Sequence, residues 1–259
     1  MKLIDAMGVE HRRPAADEQP RIVSLVPSVT ELLCDLGLAE RLVGRTGFCI
    51  HPADTVRAIA KVGGTKDVNI EKIRTLAPTH LVVNIDENEK PTVERLAAFV
   101  PNVIVTHPLA PRDNLDLYRL LGGIFGVEET AEGLCAAFER EYAALPAPPP
   151  QRRVLYCIWQ DPWMTVSRDT YIARMLALAG MAQWQAPDDA SRYPVFTWSD
   201  ALAEEIDEVL LSSEPYRFTE AHVDAIERQT GKPARLVDGE MMSWYGSRAI
   251  AGLRYLRGL

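Results

Sequence analysis

The sequence predicts an α/β protein with two Rossmann-like lobes, whose parallel sheets are joined by a long bridging helix, and a ligand cleft between the lobes. Three observations predict this fold. Short β-branched runs alternate with helical patterns up to residue 125, and two helical patterns then follow with no strand between them. The alternation restarts after a proline-rich run at 146–150. Such alternation is typical of parallel sheets covered by helices on both faces.

The changes of pattern divide the chain into four parts. These are an N-terminal extension (1–19), an N-terminal α/β lobe (20–125), a bridging helix with its proline-rich end (126–149) and a C-terminal α/β lobe (150–259). Proline cannot continue a helix, so the run at 146–150 predicts the clearest boundary.

In the first lobe, strands are predicted at 21–26, 80–85 and 103–106, with helices opening near residues 28, 69 and 92. Ser28 and Glu31 match a capping box, and Asn69 is the predicted N-cap of the second helix. The bridging region reads as helices at 114–125 and 129–145.

In the second lobe, strands are predicted at 153–158, 208–211 and 234–237, and helices at 219–229 and 247–256. Asp169 is the predicted cap of a further helix that ends at Gly180.

Composition excludes several classes of protein. The 259 residues are 47% hydrophobic and 25% charged, which is typical of a globular protein rather than a disordered one. A net charge of −8 argues against nucleic acid as the partner, because phosphate binding needs a basic face. The four cysteines never form a C-x-x-C pair. Buried free thiols are therefore favoured, with two disulfides as the alternative.

No apolar run is long enough to span a membrane. The first twenty residues contain four carboxylates and no apolar core, so they do not read as a signal peptide. We therefore expect the chain as given to be cytoplasmic, and periplasmic if a leader has been removed.

The motifs of common enzyme classes are missing. The first strand lacks a G-x-G-x-x-G turn, Gly63-Gly64-Thr65-Lys66 lacks the Walker spacing, and neither G-x-S-x-G nor H-E-x-x-H occurs. We therefore expect no enzyme activity and no catalytic cofactor.

Candidate ligand-binding residues occupy the loops after predicted strands. All five tryptophans follow the proline-rich run, and loops at strand ends commonly carry function. The alternative is that these rings only cover the edge of the lobe. In the first lobe, glycines let the backbone approach a ligand closely. The predicted ligand contacts are Phe48, Gly64, Thr65, Lys66, Trp159, Trp163, Trp198, Trp244, Tyr245 and Arg248.

His51 is a candidate ligand to cobalt or iron, since neutral imidazole suits both metals. The alternative interpretation is a hydrogen-bonded loop histidine. Lys66 and Arg248 are candidates to pair with carboxylates or amides of a ligand, although most such side chains are simply solvated.

Several segments together resemble a known family. They are Arg21–Leu33, Val43-Gly-Arg-Thr, Lys61-Val-Gly-Gly-Thr, Asn69-Ile-Glu-Lys-Ile with Leu76–Val82, and Asp169-Thr-Tyr-Ile with Leu178-Ala-Gly. The chain resembles the solute-binding proteins of cobalamin, haem and iron–siderophore uptake, also called helical-backbone metal receptors. Ser243-Trp-Tyr-Gly brings it nearest to the cobalamin-binding branch.

The resemblance implies a stiff helix between two lobes, a metal chelate held against aromatic rings, and delivery to an ABC permease. In that family one acidic residue on each lobe docks on the permease. Glu71 matches the first. The second position falls at Ser199, with Asp200 beside it, so Asp200 is the candidate.

Four functions follow from these observations. The first is non-catalytic binding of a corrinoid such as cobalamin or cobinamide. The second is binding of an iron–siderophore or haem, which predicts a cationic site drawn from Arg45, Lys66, Arg168 and Arg248. The third is a cytoplasmic enzyme or chaperone that processes or hands over the corrinoid and is not coupled to a transporter. The fourth is a regulatory or structural protein whose cleft is degenerate.

Overall fold

A computed structural model describes residues 2–15, 17–147, 150–187 and 190–259 of the chain. Contacts divide these residues into two units. Unit 1 holds the residues up to Pro108, Arg112–Glu139 and Tyr245–Arg248, and unit 2 holds Leu109–Pro111, Arg140–Trp244 and Ala249–Leu259. Pro148 and Pro149 of the predicted proline-rich boundary, and Met1 and Ala16 of the predicted extension, lie outside the described residues.

Unit 1 is built on a five-stranded, all-parallel sheet of order β3-β2-β1-β4-β5. Residues 39–41 add one turn of 3-10 helix. The elements before the bridging region are β1 (Ile22–Ser24), α1 (Pro27–Asp35), β2 (Leu42–Arg45), α2 (Ala53–Val56), β3 (Ala60–Lys61), α3 (Ile70–Thr75), β4 (His80–Asn84), α4 (Lys90–Ala97) and β5 (Asn102–Thr106).

The central strands of this sheet are covered on both faces. Every residue of β1 and β4 is buried, which is the pattern expected of parallel strands between helices. On one face Val23, Leu81 and Val83 pack with Ile73 of α3 and Leu96 of α4. The predicted strands at 21–26, 80–85 and 103–106 are thus confirmed, each within a few residues.

The predicted capping box at Ser28 is wrong. Helix α1 begins at Pro27 with Val26 as its N-cap, and no side chain caps it. Proline has no N–H to satisfy and its φ already suits the first helical position, so the helix begins one residue earlier. The prediction at Asn69 is confirmed, since its side chain accepts a hydrogen bond from the Lys72 N–H.

The N-terminal segment protects the edge of the unit 1 sheet. The buried carboxylate of Asp5 accepts hydrogen bonds from the N–H groups of Met7 and Val9 at 2.9 Å and of Val105 at 3.1 Å. Ala6 N–H donates to the Val105 carbonyl at 3.0 Å. Because β5 is an edge strand, these bonds satisfy backbone groups that would otherwise be open to pairing.

Two helices follow without an intervening strand, as predicted. They are α5 (Asp113–Phe125), which ends at Gly126 in the left-handed region, and α6 (Glu128–Ala143). The division between the units falls inside α6, between Glu139 and Arg140.

Unit 2 contains the second sheet, of order β10-β9-β6-β7, with β8 also paired to β6. All pairs are parallel except β6 with β7. The elements are β6 (Arg152–Trp159), β7 (Met164–Thr165), α7 (Tyr171–Leu178), β8 (Met181–Gln183), α8 (Asp200–Glu205), β9 (Glu208–Ser212), α9 (Glu220–Thr230), β10 (Ala234–Val237), α10 (Gly239–Ser243) and α11 (Arg248–Leu256, whose first residue belongs to unit 1).

Two local expectations in this unit are corrected. The N-cap of α7 is Thr170, whose hydroxyl accepts from Ala173 N–H, and not Asp169. The antiparallel strand β7 was not expected, and it arises because only four residues separate it from β6. A connection that short joins antiparallel strands, whereas a parallel crossover needs a dozen residues or more.

The α/β class with two largely parallel sheets is confirmed. All four cysteines are free thiols, and Cys49, Cys135 and Cys157 are buried. None of the described helices is long and apolar enough to cross a membrane.

A buried hydrogen bond in unit 1 gives a stability prediction. The Tyr118 hydroxyl donates to the Gly246 carbonyl at 2.7 Å, and Tyr118 is fully buried. Tyr118→Phe removes the donor and leaves the carbonyl unsatisfied, so the free energy of unfolding should fall by about 1–2 kcal/mol. Urea denaturation followed by circular dichroism measures this, and an unchanged midpoint would contradict the bond.

Candidate functional site

The first candidate surface, called here the unit 1 edge, consists of the loops after β2, β3 and β4 together with Tyr245–Arg248. In a parallel sheet the loops that follow the strands meet at one edge. Phe48 lies in the loop after β2 and is 63% exposed. A Cβ placed on Gly64, after β3, would lie 3.3 Å from the Phe48 ring. The fold therefore brings two of the predicted ligand contacts together.

The loop that carries Gly64, Thr65 and Lys66 is fixed by its backbone. Gly63 has a φ of +109°, and a Cβ there would meet the Asp67 carbonyl, so only glycine fits. Gly64 N–H donates to the Asp67 carbonyl at 2.7 Å. The buried Asn88 amide donates to the Thr65 carbonyl at 3.0 Å and to the Leu25 carbonyl at 3.3 Å. The Asn88 side chain therefore ties the loop after β3 to the end of β1.

Side chains of unit 1 also hold the segment Tyr245–Arg248. The Tyr245 hydroxyl donates to Glu87. Gly246 N–H donates to Asn114 at 2.6 Å. Arg248 donates to both carboxylate oxygens of Glu31, at 2.7 and 2.5 Å. Burial, together with the neighbouring Glu87, raises the pKa of Tyr245 well above its usual value, so its phenol stays neutral and acts as the donor.

Most of the predicted cationic residues are already engaged by the protein. Arg45 is buried and donates to the Val56 and Thr46 carbonyls. Arg168, in unit 2, donates to the Gln183 carbonyl at 2.8 Å, and Arg248 pairs with Glu31. Of the four, only Lys66 is exposed without a hydrogen bond or ion pair to another described residue. Among these four predicted residues, Lys66 alone leaves its charge available to an anionic ligand.

The remaining predicted residues are His51, Glu71 and Asp200. His51 is half-buried in the loop after β2, and the described residues contain no group of three or more His, Cys, Asp or Glu able to hold a metal ion. Glu71 lies in the first turn of α3, 3.5 Å from Arg74, with an exposed side chain. Asp200, in unit 2, is the first residue of α8, and Ser199 is the N-cap of that helix. Their roles stay predictions.

The second candidate surface, called here the unit 2 aromatic cluster, follows the carboxyl ends of β6, β8 and β9. Its members are Trp159, Trp163, Phe196, Trp198, Tyr216 and Phe218. Trp163 stacks on Phe218 with ring centroids 5.7 Å apart and meets Trp198 edge-on at 5.5 Å. Trp163 and Trp198 are partly buried against the core of the unit. These two rings therefore contribute to the packing of unit 2.

Trp159 differs from the other predicted tryptophans in its exposure. It is the last residue of β6, is 39% exposed and meets the Tyr216 ring edge-on at 5.5 Å. Trp244, by contrast, is only 8% exposed and its indole hydrogen-bonds to Glu214. Trp159 therefore offers exposed surface to a ligand, whereas Trp244 offers little.

Glu214 is a half-buried carboxyl group in the loop after β9. The Ser243 hydroxyl donates to it at 2.6 Å. Burial raises its pKa, and the nearby charges of Glu240 and Asp238 raise it further, while the hydrogen bonds from Ser243 and Trp244 act in the opposite direction. Glu214 thus positions Trp244.

Three depressions in unit 1 lie away from its edge. One of about 430 Å³ is lined by residues that include Arg13 and Arg119, which pair with Glu128 and Glu132. Two others, of about 520 and 280 Å³, border the N-terminal segment near the amino ends of β4 and β5. Their charged linings do not suit a large, mostly apolar chelate.

Comparison with known proteins identifies the class. The family model described as "Periplasmic binding protein" matches residues 22–233. The match covers most of the chain, so the chain belongs to the periplasmic binding protein family. The predicted resemblance is confirmed at this level.

Individual relatives include vitamin B12-binding proteins. A vitamin B12-binding protein of Photorhabdus laumondii is 31% identical over 88 residues, which cover 34% of this chain and only 32% of that protein. A vitamin B12-binding protein of Pectobacterium carotovorum is 22% identical over 236 residues, or 89% of this chain and 84% of that protein.

Solved structures show the same fold. The periplasmic vitamin B12 binding protein BtuF of Vibrio cholerae has a TM-score of 0.76 at 17% identity, over 92% of this chain and 95% of that one. The periplasmic heme-binding protein RhuT from Roseiflexus sp. RS-1, in apo form, has a TM-score of 0.76 at 21% identity, over 93% of this chain and 99% of that one. At these identities the likeness shows the fold alone.

Sequence reasoning missed several residues that shape these surfaces. Glu87, Asn88, Glu214 and Tyr216 lie in polar loops with no periodic pattern, so only three-dimensional contacts reveal them. Their position could have indicated a role, since each of them follows a predicted strand within a few residues.

The raised pKa of Glu214 predicts a pH-dependent difference in stability. A carboxyl whose folded pKa exceeds its unfolded pKa stabilises the protein at low pH, and this stabilisation is lost as pH rises through the folded pKa. Glu214→Gln keeps an acceptor for Ser243 but cannot ionise. The variant should therefore gain stability relative to the parent protein as the pH rises from the usual glutamate value of 4.5 toward neutrality.

Urea denaturation of both proteins across that range measures the difference. A difference that stays constant with pH would contradict a raised pKa at Glu214.

Proposed function

We propose that this protein binds a corrinoid, such as cobalamin or cobinamide, reversibly and without catalysis. It would act as the solute-binding component of an ABC-type uptake system or as an intracellular relative of one. Membership of the periplasmic binding protein family and similarity to vitamin B12-binding proteins support the proposal. That family membership also favours a periplasmic location over the cytoplasmic one expected from the sequence.

The observation that carries the proposal is an exposed aromatic side chain on each unit, next to the ends of parallel strands. Phe48 and Trp159 are 63% and 39% exposed, although large aromatic rings are normally buried. Exposed rings of this kind give a large contact area at low entropic cost and suit a broad, largely apolar ligand.

Charge favours a corrinoid over an iron–siderophore. Siderophores are usually anionic, and an anionic chelate needs unengaged arginine or lysine side chains. Arg45, Arg168 and Arg248 are hydrogen-bonded within the protein, and Lys66 has Asp67 beside it. A cobinamide or cobalamin carries uncharged amides at its rim and needs no such cluster.

Haem is the second candidate, because heme-binding proteins share the fold to the same degree. Haem carries two carboxylates, and its iron takes an axial ligand from the protein. His51 is the predicted residue for that role. Arg45, Arg168 and Arg248 are hydrogen-bonded within the protein, which favours haem less, because its two carboxylates need cationic partners.

Delivery to a permease would use acidic residues on exposed helix starts. Glu71 of α3 and Asp200 of α8 are the candidates, one in each unit. Carboxylates in the first turn also complement the helix dipole, so each can be tested only in the presence of the transporter.

A ligand panel tests the proposal. Purified protein should bind cyanocobalamin or dicyanocobinamide with a Kd below about 100 µM, as read by calorimetry and visible spectroscopy. Haemin and a ferric siderophore should bind more weakly. Tighter binding of haemin than of either corrinoid would contradict the choice of ligand, and binding of none would remove the proposal.

Substitution of the exposed Trp159 should change ligand affinity, whereas substitution of the packed Trp163 should change stability. Trp159→Ala removes an exposed ring and should weaken corrinoid binding by about 1–3 kcal/mol with little change in the melting temperature. Trp163→Ala should lower the stability of unit 2, since its ring stacks on Phe218 and packs against the core.

Gln229→Ala is the control, because Gln229 is exposed on α9 in the same unit and lies outside the aromatic cluster. It should change neither binding nor stability. Equal affinities of the Trp159→Ala variant and the parent protein would exclude Trp159 as a ligand contact.

A further inference from the structure

Hydrogen bonds at the start of α9 fix the tautomer of His222. Thr219 is the N-cap and His222 stands three residues on. Nδ1 of His222 accepts a hydrogen bond from the Thr219 N–H at 3.0 Å, and the Thr219 hydroxyl lies 2.8 Å from the same nitrogen. A backbone N–H can only donate, so Nδ1 carries no proton. The neutral ring therefore has its proton on Nε2.

That proton sets the direction of the next two hydrogen bonds. Nε2 of His222 lies 3.5 Å from the Tyr216 hydroxyl oxygen, which accepts from it. The tyrosine proton is then available to donate to Oε1 of Gln160, 3.3 Å away. The amide oxygen of Gln160 must face Tyr216, because its NH₂ group cannot accept.

With these hydrogen-bond directions, the NH₂ group of Gln160 remains available as a donor. Gln160 is half-buried, and its amide nitrogen has no hydrogen-bond partner among the residues that the structure describes. Gln160 directly follows Trp159, and Tyr216 packs edge-on against the Trp159 ring. A hydrogen-bond donor of fixed direction therefore stands beside an exposed aromatic surface.

We infer that Gln160 is a specificity-determining residue, held by the relay from His222 through Tyr216 so that its NH₂ group donates to an oxygen of the ligand beside Trp159. The inference rests on the proposed function, since it assigns a polar contact within that binding surface. Tyr216 and His222 are positioning residues in this arrangement, because they act through Gln160.

The same hydrogen bonds exclude a different role for His222. A neutral imidazole binds a metal through an unprotonated nitrogen. Nδ1 is occupied by Thr219, and Nε2 carries the proton. His222 therefore orients a neighbouring side chain and is not an axial ligand.

Charge narrows the acceptor to an uncharged oxygen. The donor is a neutral amide. A neutral amide brings no positive charge to offset the desolvation of a ligand carboxylate, whereas a carboxamide oxygen needs no such charge. The ligand class is thus a large, apolar-faced chelate that carries carboxamide groups at its rim.

Calorimetric titration of cyanocobalamin into the whole protein tests the contact. Gln160→Leu removes the donor and should weaken binding by about threefold to tenfold, as expected for one hydrogen bond. Gln160→Glu replaces the donor by a carboxylate and should weaken it at least as much. Gln229→Leu is the control, since Gln229 is exposed on α9 in the same unit, and it should leave the affinity unchanged.

A double-mutant cycle tests the relay. Tyr216→Phe keeps the ring against Trp159 but removes the hydroxyl, and it should weaken binding about twofold to threefold in the parent protein. In the Gln160→Leu background the same change should have no effect. A purely structural role for Tyr216 would give equal losses in both backgrounds, and that result would overturn the relay.

The outcomes separate this inference from the proposed function. If the parent protein binds cyanocobalamin and Gln160→Leu binds it equally well, the inference is overturned while the proposed function stands. If neither cyanocobalamin nor dicyanocobinamide binds the parent protein, the proposed function fails and the inference fails with it.

Discussion

In each unit, parallel strands end at a common edge, and this constraint places the candidate site. A parallel sheet gathers the loops that follow its strands, however far apart those loops are in the sequence. Phe48 and Gly64 meet for this reason in unit 1, and Trp159 and Tyr216 meet for the same reason in unit 2. The loops stay open to a ligand because side chains such as Asn88 satisfy their backbone groups without filling the surface.

Half-buried carboxyl groups give these loops their fixed form. Glu87 receives the Tyr245 hydroxyl, and Glu214 receives Ser243 and Trp244. Glu31 engages Arg248 through both oxygens. A carboxyl group removed from water is stabilised only by such donors, so each of them orders the side chain it binds. The pairing with Glu31 also engages the charge of Arg248 within unit 1.

The sequence predicted the α/β class, most strands and helices, and the family, because β-branched runs and helical periodicity report burial directly. It misjudged the cap at Ser28, where Pro27 begins the helix instead, and it missed β7, whose two residues carry no pattern. Five tryptophans were placed in loops, but loop position alone could not separate the exposed Trp159 from the packed Trp163 and buried Trp244. The relay to Gln160 depends on hydrogen-bond directions that no sequence pattern encodes.

The central claim is that the ligand binds at the loops after the parallel strands. Hydrogen exchange with and without saturating cyanocobalamin tests it most directly, because bound ligand slows amide opening where it contacts the chain. Exchange should slow at residues 46–51, 63–68, 159–163 and 213–219. Slower exchange confined to residues 9–14, 79–80 and 101–103, around the depressions near the N-terminal segment, would contradict it.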